Sequence, residues 1–321
     1  MMACQPQDQY QINEEVMASL GNKYKNAFSM GLPDLEAQVK ADSTNIMAQL
    51  GLAETRILLY IFGYTSREES LPEARKAYHA ALRTDPQDPG VLRLTAVFNL
   101  LDWKWDEAEQ AFFKAISADP RNLSTRHWYS LYLAAMGRFE KALAQHDTIA
   151  TMDVNEDYLV GRGSMYYFAR MNEELVELMH KAIAKDSTAP WPYDWLGMAY
   201  CELKDFENSL ETYFKAFELS DGTVEVGGGL GHALGLAGEY DLGKKMADYY
   251  AMVASDQYVP PVQRAYIHIG LGEYHEAIEL LEQAYKENSW FIAFMQVEPW
   301  LDPVRDDERF QVIMKKMEFP E

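Results

Sequence analysis

The residues of this chain whose types could do chemistry are a run of glycines, seven histidines, two cysteines and an excess of carboxylates. Gly227, Gly228, Gly229, Gly231, Gly235 and Gly238 invite comparison with a phosphate cradle. Such a cradle needs a strand before the turn and a helix opening on Lys-Ser/Thr after it. Neither flank is present, and the glycines fall at helical spacing, which suits close helix packing or a local weakening of the helix. His268 and His275 are separated by the Gly270–Gly272 turn, and there is no HExxH or Cys/His cluster, so no metal site is expected. Cys4 and Cys201 lie far apart and give neither a disulfide framework nor a zinc motif, and Cys201 reads as a small core residue of a helix. The carboxylates sit mostly on solvated faces or in the first turns of helices, where they complement the dipole. No acid–base pair, catalytic residue or cofactor site can be named.

The elements that would position any site are set by a repeat. In the stretch from Trp103 to Pro120, Ala108, Phe112 and Ala115 share one helix face, and Asp119-Pro120 stops the helix. The same small–aromatic–small pattern stands 34 residues upstream at Ala74, Tyr78 and Ala81, before Asp85-Pro86. Downstream it returns at Ala142, His146 and Ile149 before Asp153, at Leu175, Met179 and Ala182 before Asp186, and at Ser209, Tyr213 and Ala216 before Asp221. Gly243, Ala247 and Tyr250 continue the row, and Ala277, Leu281 and Ala284 end it. A step of this length with this pattern marks a tetratricopeptide repeat (TPR), a helix pair that buries its apolar face only by stacking on its neighbours. The expected fold is all-α: a right-handed superhelix of about eight helix pairs with a C-terminal capping helix.

Taken in order, residues 1–12 are polar and expected to be disordered. A solenoid is expected over 13–288, with repeats at 13–42, 45–85, 89–119, 122–153, 156–186, 190–221, 223–255 and 258–288. In the first, Asn13–Met30 reads as one helix, and Pro33 opens a second. In the next, Thr65–Ser70 reads as a polar loop before a helix opening at Leu71-Pro72-Glu73. Residues 289–321 are expected to cap the last repeat through Phe310, Ile313, Met314 and Met317.

A net charge of −21 counts against nucleic acid as a direct ligand, because phosphate binding needs a basic patch. No apolar run reaches the ~18 residues of a membrane span. The chain therefore reads as cytoplasmic. Met1-Met2-Ala3-Cys4 has the small residue before cysteine found in bacterial lipoprotein signals, but no basic or apolar segment precedes it. The alternative is a lipid anchor at Cys4, with the protein periplasmic or membrane-anchored.

A more specific resemblance rests on Leu101-Asp102-Trp103-Lys104-Trp105-Asp106-Glu107-Ala108-Glu109, followed by His127–Ala134 and Gly137-Arg138-Phe139. It is carried on by Tyr266–Gly272, Pro299-Trp300-Leu301-Asp302-Pro303 and Arg309-Phe310. These stretches resemble the TPR module attached to bacterial winged-helix transcription regulators, adenylate cyclases and Ser/Thr kinases. The resemblance covers about residues 40–317 and implies a sensor or scaffold half whose catalytic or DNA-binding partner domain lies elsewhere. The roughly 40 residues before the second repeat are too few for a winged helix.

In such arrays the first helix of each pair lines a concave groove. Counted in register from Ala108, the groove positions are Arg93, His127, Leu131, Val160, Ser164, Tyr167, Trp191, Asp194, Met198, His232 and Tyr266. Interleaved aromatic and polar groups suit an extended peptide or a helix. Trp103, Trp105, Trp128 and Tyr129 are expected to pack between repeats. The function expected is a non-catalytic scaffold holding a protein or peptide in the groove. The alternative is a ligand-sensing module of a bacterial transcription or signalling system, and a hydrolase hidden in the groove is a third.

Overall fold

The computed structural model describes residues 10–152 and 157–320, in which helices and the turns between them are the only structure, with no strand among them. Three short helices come first: α1 (Glu14–Ser19), α2 (Asn22–Ser29) and α3 (Leu32–Ala41). The array that follows is built of consecutive pairs. They are α4 (Ile46–Ile61) on α5 (Arg67–Thr84), α6 (Pro89–Leu101) on α7 (Trp105–Ala118), and α8 (Leu123–Ala135) on α9 (Phe139–Ala150). Next stand α10 (Asp157–Phe168) on α11 (Asn172–Lys185) and α12 (Pro190–Glu202) on α13 (Phe206–Leu219). Last come α14 (Val224–Leu236) on α15 (Tyr240–Val253) and α16 (Pro261–Gly270) on α17 (Tyr274–Lys286).

The repeated positions explain the pairing. Ala74, Ala108, Phe112, Ala142, Tyr213 and Ala277 are fully buried, so a small residue lets each second helix approach its partner while the aromatic fills the space one turn on. Each buried aromatic or aliphatic side chain of this kind contributes ~1.5–3 kcal/mol. The helices stop where the sequence says: Asp85, Asp119 and Asp186 leave helical geometry as the caps of α5, α7 and α11. First helices touch one another in series from α4 to α16, which puts them on the inside of the curve. Between α14 and α16 the glycines bring two backbones together, since a Cβ on Gly235 would run into the backbone of Gly270.

The curve closes on itself. Tyr60 Oη donates to the Asn288 carbonyl at 2.8 Å, joining the end of α17 to α4 across the ring. A Cβ on Gly63 would stand 2.7 Å from Pro260, so the two ends of the array are in contact. The segment after α17 does not simply cap the last repeat. It turns inward through two 3-10 turns, Trp290–Phe294 and Pro299–Val304, before α18 (Glu308–Met317). Trp290, Phe294, Trp300, Leu301 and Val304 are buried there. Helix α18 lies on α17 with Phe310, Ile313 and Met317 buried, and Arg309 forms a two-pronged ion pair with Glu282.

Several expectations change. The single helix foreseen over Asn13–Met30 breaks at Leu20 and Gly21, both at positive φ (51° and 72°). The break lets the Gly21 amide donate to the Asp221 carbonyl at 2.7 Å, so α1 and α2 lie on the turn between α13 and α14. Of the polar stretch at 65–70, the part from Arg67 on is helical instead, because Ser66 and Glu69 form a capping box that starts α5 ahead of Pro72. Tyr129 does pack between α7 and α8, on Phe112. The tryptophans reach further: Trp103 stacks on Tyr285, Trp105 on Phe319, and Trp128 meets Trp290 edge-on. Trp103 thus joins its repeat to the last one, and Trp105 and Trp128 bind the tail across the ring rather than the neighbouring repeat. The disorder expected for 1–12, the anchor at Cys4 and the turn at Asp153 fall wholly or mainly outside the described residues.

Candidate functional site

What remains of the concave groove, once the tail lies in it, is a central cavity of about 410 Å³. Its walls come from six inner helices and the tail. Helix α4 ends at Ile61 and Phe62 on one side, and α8 supplies His127 and Leu131. Helix α10 supplies Val160 and Ser164, and α12 supplies Trp191, Asp194 and Trp195. Glu225 opens α14, Tyr266 lies mid-way along α16, and Trp290, Phe291, Phe294 and Glu298 come from the tail.

The helices position these groups by simple means. Pro190 stands in the first turn of α12, so Trp191 and Asp194 follow one turn apart on its inner face. Trp191 is held by Phe62, stacked at 5.8 Å, and by Tyr24 of α2 edge-on at 5.9 Å. Phe168 stacks on Phe294 at 4.9 Å with the rings 3° from parallel, fixing the tail against α10. Ser164 donates to the Gly161 carbonyl at 2.8 Å, which ties its hydroxyl into its own helix.

Three carboxyls face this space. Glu298 accepts from Tyr167 Oη and from the Trp300 amide, and it opens the second 3-10 turn. Burial pushes its carboxyl up to about 7, against the pull of those hydrogen bonds. Burial also pushes Glu225 up to about 7. Asp194, only 6% exposed, is raised well above the carboxylate range by burial and then by the nearby charge of Glu225. His127 is driven down to about 4 by burial and is neutral at pH 7. Among the described residues no group of three or more His, Cys, Asp or Glu is disposed to hold a metal ion.

The groove residues named from the sequence divide into three sets. His127, Leu131, Val160, Ser164, Trp191, Asp194 and Tyr266 line the cavity. Tyr167 and Met198 border a smaller adjoining space of about 70 Å³, behind Asp194. Arg93 and His232 are elsewhere. Arg93 is buried in an ion pair with Glu54, and His232 stacks on Trp300 at 4.2 Å while its Nδ1 meets the Tyr266 carbonyl at 2.8 Å. Trp195, Phe168 and Glu225 went unnoticed because the register count took other positions of the same helices. The tail residues carry no repeat signal at all.

Residues 262–289 match the family profile of the tetratricopeptide repeat. No curated protein matches the chain as a relative. Among solved structures it is similar to the APC/C hetero-tetramer Cut9-Hcn1, with TM-score 0.61 and 14% identity over 91% of this chain and 52% of that one. The chain therefore spans about half the length of that relative. It is similar also to the human IFIT1 dimer with m7Gppp-AAAA, with TM-score 0.59 and 13% identity over 89% of this chain and 73% of that one. A tetratricopeptide repeat protein from Parabacteroides merdae matches with TM-score 0.52 and 14% identity, over 82% of this chain and 97% of that one. At these identities the likeness concerns the fold. The chain is a TPR-type α-solenoid. No helix among the described residues is long and apolar enough to cross a membrane.

Proposed function

We propose that this chain is a non-catalytic binding module whose central cavity takes a small ligand, the sensor type of TPR module rather than a groove for an extended peptide. One observation carries this reading: the tail lies in the concave face and leaves a partly open, mainly aromatic cavity with a few polar groups. That combination, at about 410 Å³, suits a ligand of small-molecule size. An extended peptide in the groove would have to displace Trp290, Phe294 and Trp300, all buried.

Protein contact, the general use of such solenoids, then falls to the outer helices. Phe113, Tyr240, Met252 and Tyr274 are exposed on α7, α15 and α17, and a partner there would read the occupied or empty state of the cavity. A regulator or signalling protein is the kind of partner that the resemblance of the repeats suggests.

The test is a thermal-shift screen of charged and neutral metabolites on wild type and on Leu131→Trp, which fills the cavity from α8. A ligand that binds only the folded state raises the melting temperature by mass action. The expected result is at least one compound that stabilises wild type and not the filled variant. Equal shifts in both, or none from any compound, would overturn the reading.

A further inference from the structure

We propose that the cavity is built for a small organic cation, an ammonium group on an apolar body, seated between the aromatic walls with Asp194 as its counter-ion. This rests on the reading of the cavity as a ligand site and names the ligand's chemistry.

Asp194 is the observation that asks for a partner. Its carboxyl is more than nine-tenths buried, faces the cavity, and makes no hydrogen bond among the described residues. A buried carboxyl in that state is costly unless something else pairs with it. Glu225, with one oxygen buried and unbonded, stands near enough to raise the Asp194 proton affinity. The described lining contains no lysine or arginine that would satisfy either acid. The pair faces Trp191, Trp195, Phe62, Trp290 and Phe291, whose ring faces attract a cation. Aromatic walls offer a metal ion no lone pairs, and the described lining holds no cation to receive an anion. An organic cation answers both halves of the lining at once.

Binding is then coupled to protons. In the empty cavity burial shifts both acids toward the protonated form, Glu225 to about 7, and a bound cation displaces a proton to solvent. The other titratable groups around Asp194 are His127 from α8, Tyr167 from α10, Tyr213 from α13, Tyr266 from α16 and Glu298 from the tail. His127 is neutral and does not compete as a cation, and burial holds the tyrosines protonated. Glu298 titrates in the same direction as the pair. Affinity for a permanently charged cation therefore rises from pH 6 to pH 8.

The experiment is calorimetric titration of the full chain with benzyltrimethylammonium, beside benzyl alcohol and benzoate, on wild type, Asp194→Asn and Glu225→Gln. Circular dichroism checks that each variant is folded, and the two variants serve as replacements for each other. We expect the cation to bind about tenfold or more tightly than either comparator, with about a tenfold loss in Asp194→Asn. A peptide carrying one trimethyllysine separates the sources: competition places the cation on a protein chain, and exclusion makes it a free metabolite, both upholding the cation. Tighter binding of benzyl alcohol or benzoate, or unchanged affinity in both folded variants, would overturn the cation while leaving the cavity as a ligand site. Failure of all three probes, together with an empty thermal-shift screen, would overturn both.

Discussion

Both ends of the chain cross the ring, and they do so with opposite chemistry. The C-terminal segment enters as a row of apolar groups: Trp290, Ile292, Phe294, Met295, Trp300 and Leu301 are all buried against the inner helices. The N-terminal helices α1 and α2 bury only Met17 and are held by polar contacts and by two partly exposed rings, Tyr24 and Phe28. Ser19 Oγ and the Lys23 amide both donate to Asp221, Tyr24 Oη donates to the Leu219 carbonyl at 3.3 Å, and Glu14 pairs with Lys245. Burial of apolar area gives stability that water does not contest, whereas exposed hydrogen bonds and ion pairs exchange for water at little net gain. The tail is therefore core, and the N-terminal helices are a detachable cover beside Trp191. Tyr24 and Phe28 touch the cavity wall from outside, on Trp191 and Phe62, so loosening them opens one side of the cavity.

This contrast can be broken at its strong side first. Trp300 stacks on His232 and meets Tyr266 and Tyr167 edge-on, so Trp300→Ala should cost ~3–5 kcal/mol and lower the melting temperature of the whole molecule. A local loss confined to residues 290–320 in hydrogen exchange would show that the tail is not part of the core.

A smaller effect follows from Glu298. Its folded value of about 7 lies above the ordinary 4.5, so the fold favours the protonated form. The stability it contributes is fully present below the unfolded value and is lost as pH rises through about 7. The melting temperature of wild type should thus fall from pH 5 to pH 8 by more than that of Glu298→Gln, which cannot ionise. Glu225 shifts in the same direction, so part of the slope persists in that variant. Parallel curves would remove Glu298 as the group that titrates.

The smallest effect belongs to the N-terminal cover. Ser19→Ala removes one hydrogen bond to Asp221, worth ~0.5–1.5 kcal/mol. Amides of α1 and α2 should exchange faster while the global melting temperature stays nearly unmoved. A global drop like that of Trp300→Ala would erase the difference between the two ends.

The array was legible because its contacts are local in the chain. Ala108 and its equivalents recur at one step, and each pair meets only the next, so periodicity alone carries the fold class and the inner face of each first helix. Groove positions such as Trp191 and Asp194 could be counted from that register. Arg93 and His232 could not be told from groove residues, because the count gives the side of the helix and not what covers it. Arg93 is covered by Glu54, and His232 by the indole of Trp300.

By itself the sequence determined an all-α solenoid and its helix pairs, and left the glycines of α14 between close packing and a weakened helix. Only the tertiary structure decided that the array closes, that the tail lies in the groove, and that a partly open acidic and aromatic cavity results. The contacts responsible join residues far apart: Tyr60 to Asn288 spans 228 positions and Tyr167 to Glu298 spans 131. No repeat period encodes such pairs. They arise because small rotations between successive helix pairs accumulate until the two ends meet, and because the apolar tail finds its burial inside the ring.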